Sequence, residues 1–339
     1  MANPMSPLEP TFTRRRLIKT LFCSSLAMQL NLNSTASAEM VRNGDLDFMV
    51  LGDFGAGNND QKKVAEAMDV YARRLGKKAD GMFLLGDNFY GAVHDGVKSE
   101  RWKTGFSDLY PSRRFPNPCW AVLGNHDYHD TIGGAQMQLD YNAFRKGKTR
   151  WTMPDNFYRV DLPAKDPKVT FLMIDTNWEP INRRTHGANP PCWISAEKQA
   201  EQLVWLKQQL ESKRAPFTVV IGHHPLYSDG NHGDTPELIK DIGPLLEKAG
   251  VHLYLGGHDH DMQHLELEGL RTSFVISGAG GAGIYRIDKP RKGAVAKSEH
   301  GFSHLSFKED RLYLSHIGLN GKSLHAFSKG TDFTWKVEV

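Results

Sequence analysis

Apolar positions in this chain fall into short blocks that stop at a glycine, with helical periodicity between them. Leu46 to Leu51 and Ala79 to Leu85 read as buried strands, and Val64, Met68, Tyr71 and Leu75 repeat at three- and four-residue steps, so this stretch predicts strand–helix–strand. Trp102, Phe106 and Leu109 predict a second helix, followed by strands at Cys119 to Leu123 and Lys168 to Ile174. Ser195 to Arg214 predicts a strong helix, with Ser195 as its N-cap and Glu197 in its first turn. A strand at Phe217 to Ile221, a helix at Pro236 to Ala249 and a strand at Val251 to Leu255 follow. Beyond them Leu312 to His316 and Ser323 to Phe327 alternate as strands do. The pattern implies α/β architecture without repeats or coiled coil.

The first residues do not fit this pattern. Thr13-Arg14-Arg15-Arg16-Leu17-Ile18-Lys19 precedes an apolar segment from Leu21 to Leu32 and then Ala36-Ser37-Ala38. A charged stretch, an apolar stretch and a small-residue end make a secretory signal over residues 1–38, leaving 39–339 as one α/β domain. The adjacent arginines point to the twin-arginine route, and so to a periplasmic or secreted protein. The net charge of +3 resides entirely in this segment, whose four basic side chains face only Glu9. The remainder is neutral, which removes charge as an argument for a nucleic-acid or membrane partner. No later apolar run is long enough to span a bilayer. The composition is otherwise that of an ordinary globular protein, 40% hydrophobic and 24% charged. Cys119 and Cys192 remain after Cys23 leaves with the signal, and spacing does not decide whether they pair.

The chemistry lies where the strands end. Gly52-Asp53-Phe54-Gly55, Gly86-Asp87-Asn88-Phe89-Tyr90, Gly124-Asn125-His126-Asp127, Gly222-His223-His224-Pro225 and Gly257-His258-Asp259-His260 each close an apolar run. Loops at the carboxyl ends of strands are where α/β sheets place ligands, and glycine lets each backbone turn sharply. One aspartate after a strand is ordinarily a turn former. Two such blocks, with three imidazoles, an amide and a phenol, supply donors for two metal ions and point to metal-assisted hydrolysis of a phosphate ester. His258 and His260 stand at i and i+2, so extended backbone sends both rings to one side. His252, His300, His304, His316 and His325 lack such context and read as packed or solvated.

The five blocks, their order and their spacing resemble the metallophosphoesterase superfamily. Asp87-Asn88-Phe89-Tyr90, His223-His224-Pro225, the Arg101 to Tyr110 segment and His232, nine residues after His223, resemble the small, tartrate-resistant type of purple acid phosphatase. The resemblance implies a layered α/β sandwich with a dinuclear centre at the C-terminal ends of the strands. It implies a ferric ion held by Asp53, Asp87, Tyr90 and His260. A divalent ion (Fe, Zn or Mn) would be held by Asp87, Asn125, His223 and His258, with Asp87 bridging. His126 and His232 become the phosphate-orienting and proton-donating histidines, and a metal-held hydroxide becomes the nucleophile. Asp127 and Asp259 are expected to fix histidine orientation. The chain departs from the family pattern at Phe54, usually Trp, at His224, usually Tyr, and at Tyr128-His129.

The expected activity is therefore that of an exported, monomeric acid phosphatase acting on small phosphomonoesters. A phosphodiesterase or nucleotidase using Mn or Zn is the alternative, decided by the loops Gly91–Lys98 and Asn182–Pro191. A non-catalytic metal- or phosphate-binding protein would need no proton donor, which disfavours it. Arg183, Arg184 and His186 belong to that rim, either meeting a substrate anion or lying in solvent. Gly278-Ala279-Gly280-Gly281-Ala282-Gly283 matches GxGxxG after a strand, but Pro290 and nearby charges argue against the helix that a dinucleotide needs. A glycine loop near the site is expected instead.

Overall fold

The computed structural model describes residues 46–187, 192–287, 290–291 and 293–338. The signal sequence expected over residues 1–38 lies outside the described residues. Two sheets form the body. In the first, β1 (Leu46–Leu51), β2 (Gly81–Leu84), β3 (Cys119–Ala121) and β4 (Trp151–Thr152) run parallel. The second contains β5 (Tyr158–Leu162), β6 (Val169–Met173), β7 (Phe217–Ile221), β8 (Leu253–Gly256), β9 (Met262–Leu265), β10 (Ser273–Ser277) and β11 (Val295–Lys297), in the order β11-β9-β10-β8-β7-β6-β5. The chain then returns to the first sheet as the antiparallel meander β12 (Gly301–Lys308), β13 (Arg311–Gly318), β14 (Ser323–Gly330) and β15 (Trp335–Val337), with β12 against β1. This is a mixed α/β two-sheet sandwich, as expected.

Aromatic side chains fill the space between the sheets. Phe48 lies 5.2 Å from Phe83 and 5.4 Å from Phe171 of the opposite sheet, and Phe217 lies 5.3 Å from Phe307. Helix α1 (Asn59–Arg74) has the predicted period, and its Asn58 cap accepts the Gln61 N–H at 2.9 Å. Its Tyr71 packs edge-on against Phe302 of β12. Between β3 and β4 lie α2 (Asn125–His129) and α3 (Gly134–Phe144), and α4 (Glu179–His186) follows β6. Helix α5 (Ala196–Glu211) is capped by Ser195, whose hydroxyl accepts the Lys198 N–H. It covers the second sheet with α6 (Pro236–Asp241) and α7 (Gly243–Ala249), burying Leu206, Leu238 and Leu246 on Val220 and Tyr254. Cys119 and Cys192, the cysteines among the described residues, are both buried and free. Among the described residues no helix is long and apolar enough to cross a membrane.

Two helices differ from expectation. The segment around Trp102 and Phe106 is a π-helical turn, Lys103–Ser107. The helix expected over Pro236 to Ala249 breaks at Ile242, because Pro244 in the first turn of α7 has no N–H to continue the ladder.

Candidate metal centre

All five glycine blocks follow strand ends, three on the first sheet (β1, β2, β3) and two on the second (β7, β8), so their loops meet at the seam between sheets. Asp53, Asp87 and His258 have positive φ, 56°, 50° and 68°. Side chains seldom accept that region, and such strain collects at functional sites. The preceding glycines serve mainly close approach: a Cβ on Gly124 would sit 2.1 Å from Asp87 Oδ1, and one on Gly257 2.5 Å from Asp53 Oδ2.

Two groups of donors share Asp87. In the first, Tyr90 Oη lies 3.0 Å from Asp87 Oδ2, 3.3 Å from Asp53 Oδ1 and 3.1 Å from His260 Nε2. In the second, Asn125 Oδ1 lies 3.0 Å from His223 Nε2 and 2.9 Å from His258 Nδ1, and His223 Nε2 is 3.4 Å from Asp87 Oδ1. Backbone carbonyls set the tautomers. His223 Nδ1–H donates to Leu85 O at 2.8 Å and His260 Nδ1–H to Gly283 O at 2.7 Å, so both Nε2 atoms face inward as lone pairs. The described residues thus place carboxylate, amide and imidazole lone pairs against one another, with the Tyr90 proton the clearest donor among them. A cation in each group resolves that repulsion, so the residues present fit metal ions. Burial, reinforced by the Asp87 charge, pushes the Asp53 carboxyl well above its ordinary range, the signature of like charges enclosed together. The glycine loop lines this site without a helix: Ala282 N–H donates to Asp53 O at 3.0 Å.

The two histidines expected to act on substrate border the donors. The His126 ring is 4.4 Å from Tyr90, and the His232 ring is 4.0 Å from His258. Burial alone would lower the His126 pKa, but its hydrogen bond to Asp130 and the Asp87 charge outweigh that and raise it. His126 Nδ1 is 2.9 Å from Asp130 Oδ2, and Asp130 is itself held by the Gly91 N–H at 2.6 Å.

Several expectations need correction. Among the described residues Asp127 touches no histidine ring. It accepts from Gly124 N, Asn88 N, Phe89 N and Gln138 Nε2, tying the Asp87 loop to the Asn125 loop. Asp259 accepts from Ser228 Oγ and from the His232 backbone N–H, so it fixes a loop rather than a ring. His224 does not add a titrating group, since burial and then the His223 charge push it well below 6.5. Asn182 to His186 is helix, not loop, and residues 188–191 of the expected rim lie outside the described residues. Arg183 pairs with Glu179, and Arg184 with Glu237 at 2.8 and 3.2 Å, and both side chains stay more than half exposed, in keeping with the solvated of the two readings given for them. The sequence reading missed Asp130 and Tyr285, and it named His186 and Arg101 without their roles. Tyr285 stacks on His260 at 4.2 Å, and the Arg101 guanidinium holds Tyr90 O at 2.6 Å and Gly55 O at 2.9 Å.

Residues 46–262 match the family model described as calcineurin-like phosphoesterase. The chain belongs to that family. It is 32% identical over 297 residues to tartrate-resistant acid phosphatase type 5 of Mus musculus, covering 82% of this chain and 88% of that one. It is 31% identical over 297 residues to purple acid phosphatase 7 of Arabidopsis thaliana, covering 84% and 86%. The fold is similar to that of GAP50, the anchor in the inner membrane complex of Plasmodium, at 24% identity and a TM-score of 0.68, covering 83% of this chain and 87% of that one. The resemblance carried by the five blocks is thereby borne out, and the calcineurin-like chain is an enzyme of the purple acid phosphatase type.

Proposed function

We propose that this calcineurin-like phosphoesterase is an exported dinuclear phosphatase that hydrolyses phosphomonoesters. The observation that carries the reading is the double donor set sharing Asp87, with His126 and His232 at its edge. Asp53, Asp87, Tyr90 and His260 would hold a ferric ion, because a phenol oxygen suits a hard trivalent cation. Asp87, Asn125, His223 and His258 would hold a divalent ion (Fe, Zn or Mn). When bound, such a pair polarises phosphate oxygens and acidifies water. The protein's own share is placement: His126, aligned by Asp130, faces the phosphate, and His232 delivers a proton to the departing alkoxide oxygen. Export rests on the residue 1–38 signal pattern, and a mature N-terminus at Glu39 by mass spectrometry would bear it out.

The deciding experiment compares kcat/KM for a chromogenic phosphomonoester and its matching diester across pH. Monoester preference with an acid-side optimum is expected. Diester preference would replace the proposal with a phosphodiesterase on the same scaffold. Tyr90→Phe is expected to abolish a visible phenolate-to-iron absorption band, and a colourless, iron-free, fully active wild type would remove the ferric assignment. Asp130→Asn leaves the donor set intact and is expected to lower kcat/KM about tenfold with metal content unchanged, a size suited to a weakened proton-handling or orienting group. Unaltered kinetics would show that His126 needs no carboxylate partner.

A further inference from the structure

The Asn125 amide occupies a position where its two ends have opposite surroundings. Oδ1 faces His223 Nε2 at 3.0 Å and His258 Nδ1 at 2.9 Å, and Nδ2 lies 2.8 Å from His186 Nε2. An amide NH2 carries only donors, so His186 Nε2 meets it as an acceptor. Turned by 180°, the amide would present N–H groups to the two ring nitrogens that face the proposed cation, and neither could share an ion with it. The neighbour at Nδ2 therefore selects between a liganding and a repelling amide.

His186 is well placed for this. It closes α4, a helix started by Pro180 and Trp178, and Trp178 is buried in the core of the second sheet. Asn182, one turn earlier, donates to Asn177 Oδ1 at 3.1 Å and to the Cys192 carbonyl at 2.6 Å. Arg184 ties the same helix to Glu237 of α6. The imidazole itself stacks on His129 at 4.4 Å and stands edge-on to His126 at 5.7 Å. The ring is thus fixed through the helix and through α2, the helix that carries Asn125.

We infer that His186 is a positioning residue that locks the Asn125 side chain with its oxygen toward the divalent-ion site. The inference rests on the dinuclear reading above. Partners that orient metal ligands typically matter by 10- to 100-fold in metal affinity. Zinc retention is the direct probe: purified wild type, His186→Ala and His186→Gln, each loaded with zinc, are dialysed against graded chelator and their zinc and iron are measured. His186→Ala is expected to lose zinc about tenfold more readily while keeping its iron and its visible band. His186→Gln offers an acceptor oxygen in place of Nε2 and is expected to recover most of the zinc affinity, which a purely structural role for the ring would not produce. Equal zinc retention in wild type and His186→Ala overturns the inference alone. A wild type that binds no zinc beside its iron overturns both the inference and the dinuclear reading. A Gln variant as weak as Ala overturns the acceptor role.

Discussion

Asp87→Ala is expected to strip both ions from the protein and to lower kcat/KM for a phosphomonoester by at least about a thousandfold, ~4 kcal/mol of transition-state stabilisation. Asp87 is the carboxylate that belongs to both donor groups. Its Oδ2 meets Tyr90, and through Tyr90 the His260 and Asp53 side; its Oδ1 lies toward His223 and also accepts the His126 N–H at 2.9 Å. Removing it takes one carboxylate from each group and frees the turn that begins α2. Asp87→Asn separates these effects, because an amide oxygen can still accept the backbone N–H while the charge is gone. If the Asn variant keeps its fold and the iron-site band but loses the second ion, the bridging charge is the essential element. Full activity in the Ala variant with both ions retained would overturn the role given to Asp87, and full activity with both ions gone would sink the dinuclear reading altogether.

The candidate donors were legible in the sequence because each of the five blocks that carry them opens on a glycine at the end of an apolar strand, and the structure brings those strand ends together at the seam between the sheets. Less legible were residues whose role depends on a helix that no periodicity announces. Asp130 follows His126 by four residues, a helical contact, but the block reads as a loop until α2 is seen. His186 closes Glu179–His186, whose charged residues and Pro180 hide its helical character. Asp127 and Asp259 were legible as site residues but not in their roles, since each turns toward backbone N–H groups of neighbouring loops rather than toward a ring. His224 looked like a titrating neighbour because sequence shows a residue's chemistry and not its burial. The lone histidines were read as packed or solvated, and four of the five are packed: His252 stacks on Phe333, and His304, His316 and His325 are buried in the sheet.

Those packed histidines imply the second large effect, a fall in stability in acid. Burial, followed by the nearby His325 charge, lowers His316 to about 3. Burial lowers His325 and His252 to about 4. The His316 ring is neutral in the fold, with Nε2–H donating to the Gln263 carbonyl at 3.2 Å and Nδ1 facing Ser303 Oγ at 2.8 Å. An unfolded histidine titrates near 6.5. Below that pH the unfolded chain takes up protons that the folded chain refuses, so the contribution is complete above about pH 6.5 and is lost as pH falls toward 4 and 3. For His316 alone the loss between pH 7 and 4 is about 3 kcal/mol, a substantial share of an ordinary domain's stability. His325 and His264 adjoin at 2.9 Å, so their contributions couple with one another and do not simply add. A phosphatase active on the acid side would then operate on the falling limb of its own stability, with bound ions offsetting part of the loss by mass action. Urea midpoints of the metal-saturated protein at pH 7, 5.5 and 4 are expected to fall steadily. His316→Gln, which carries no titrating group, is expected to flatten that fall by up to one proton's worth even if it is less stable at pH 7. Midpoints that stay level from pH 7 to 4 in the wild type would mean that these rings take up protons inside the fold.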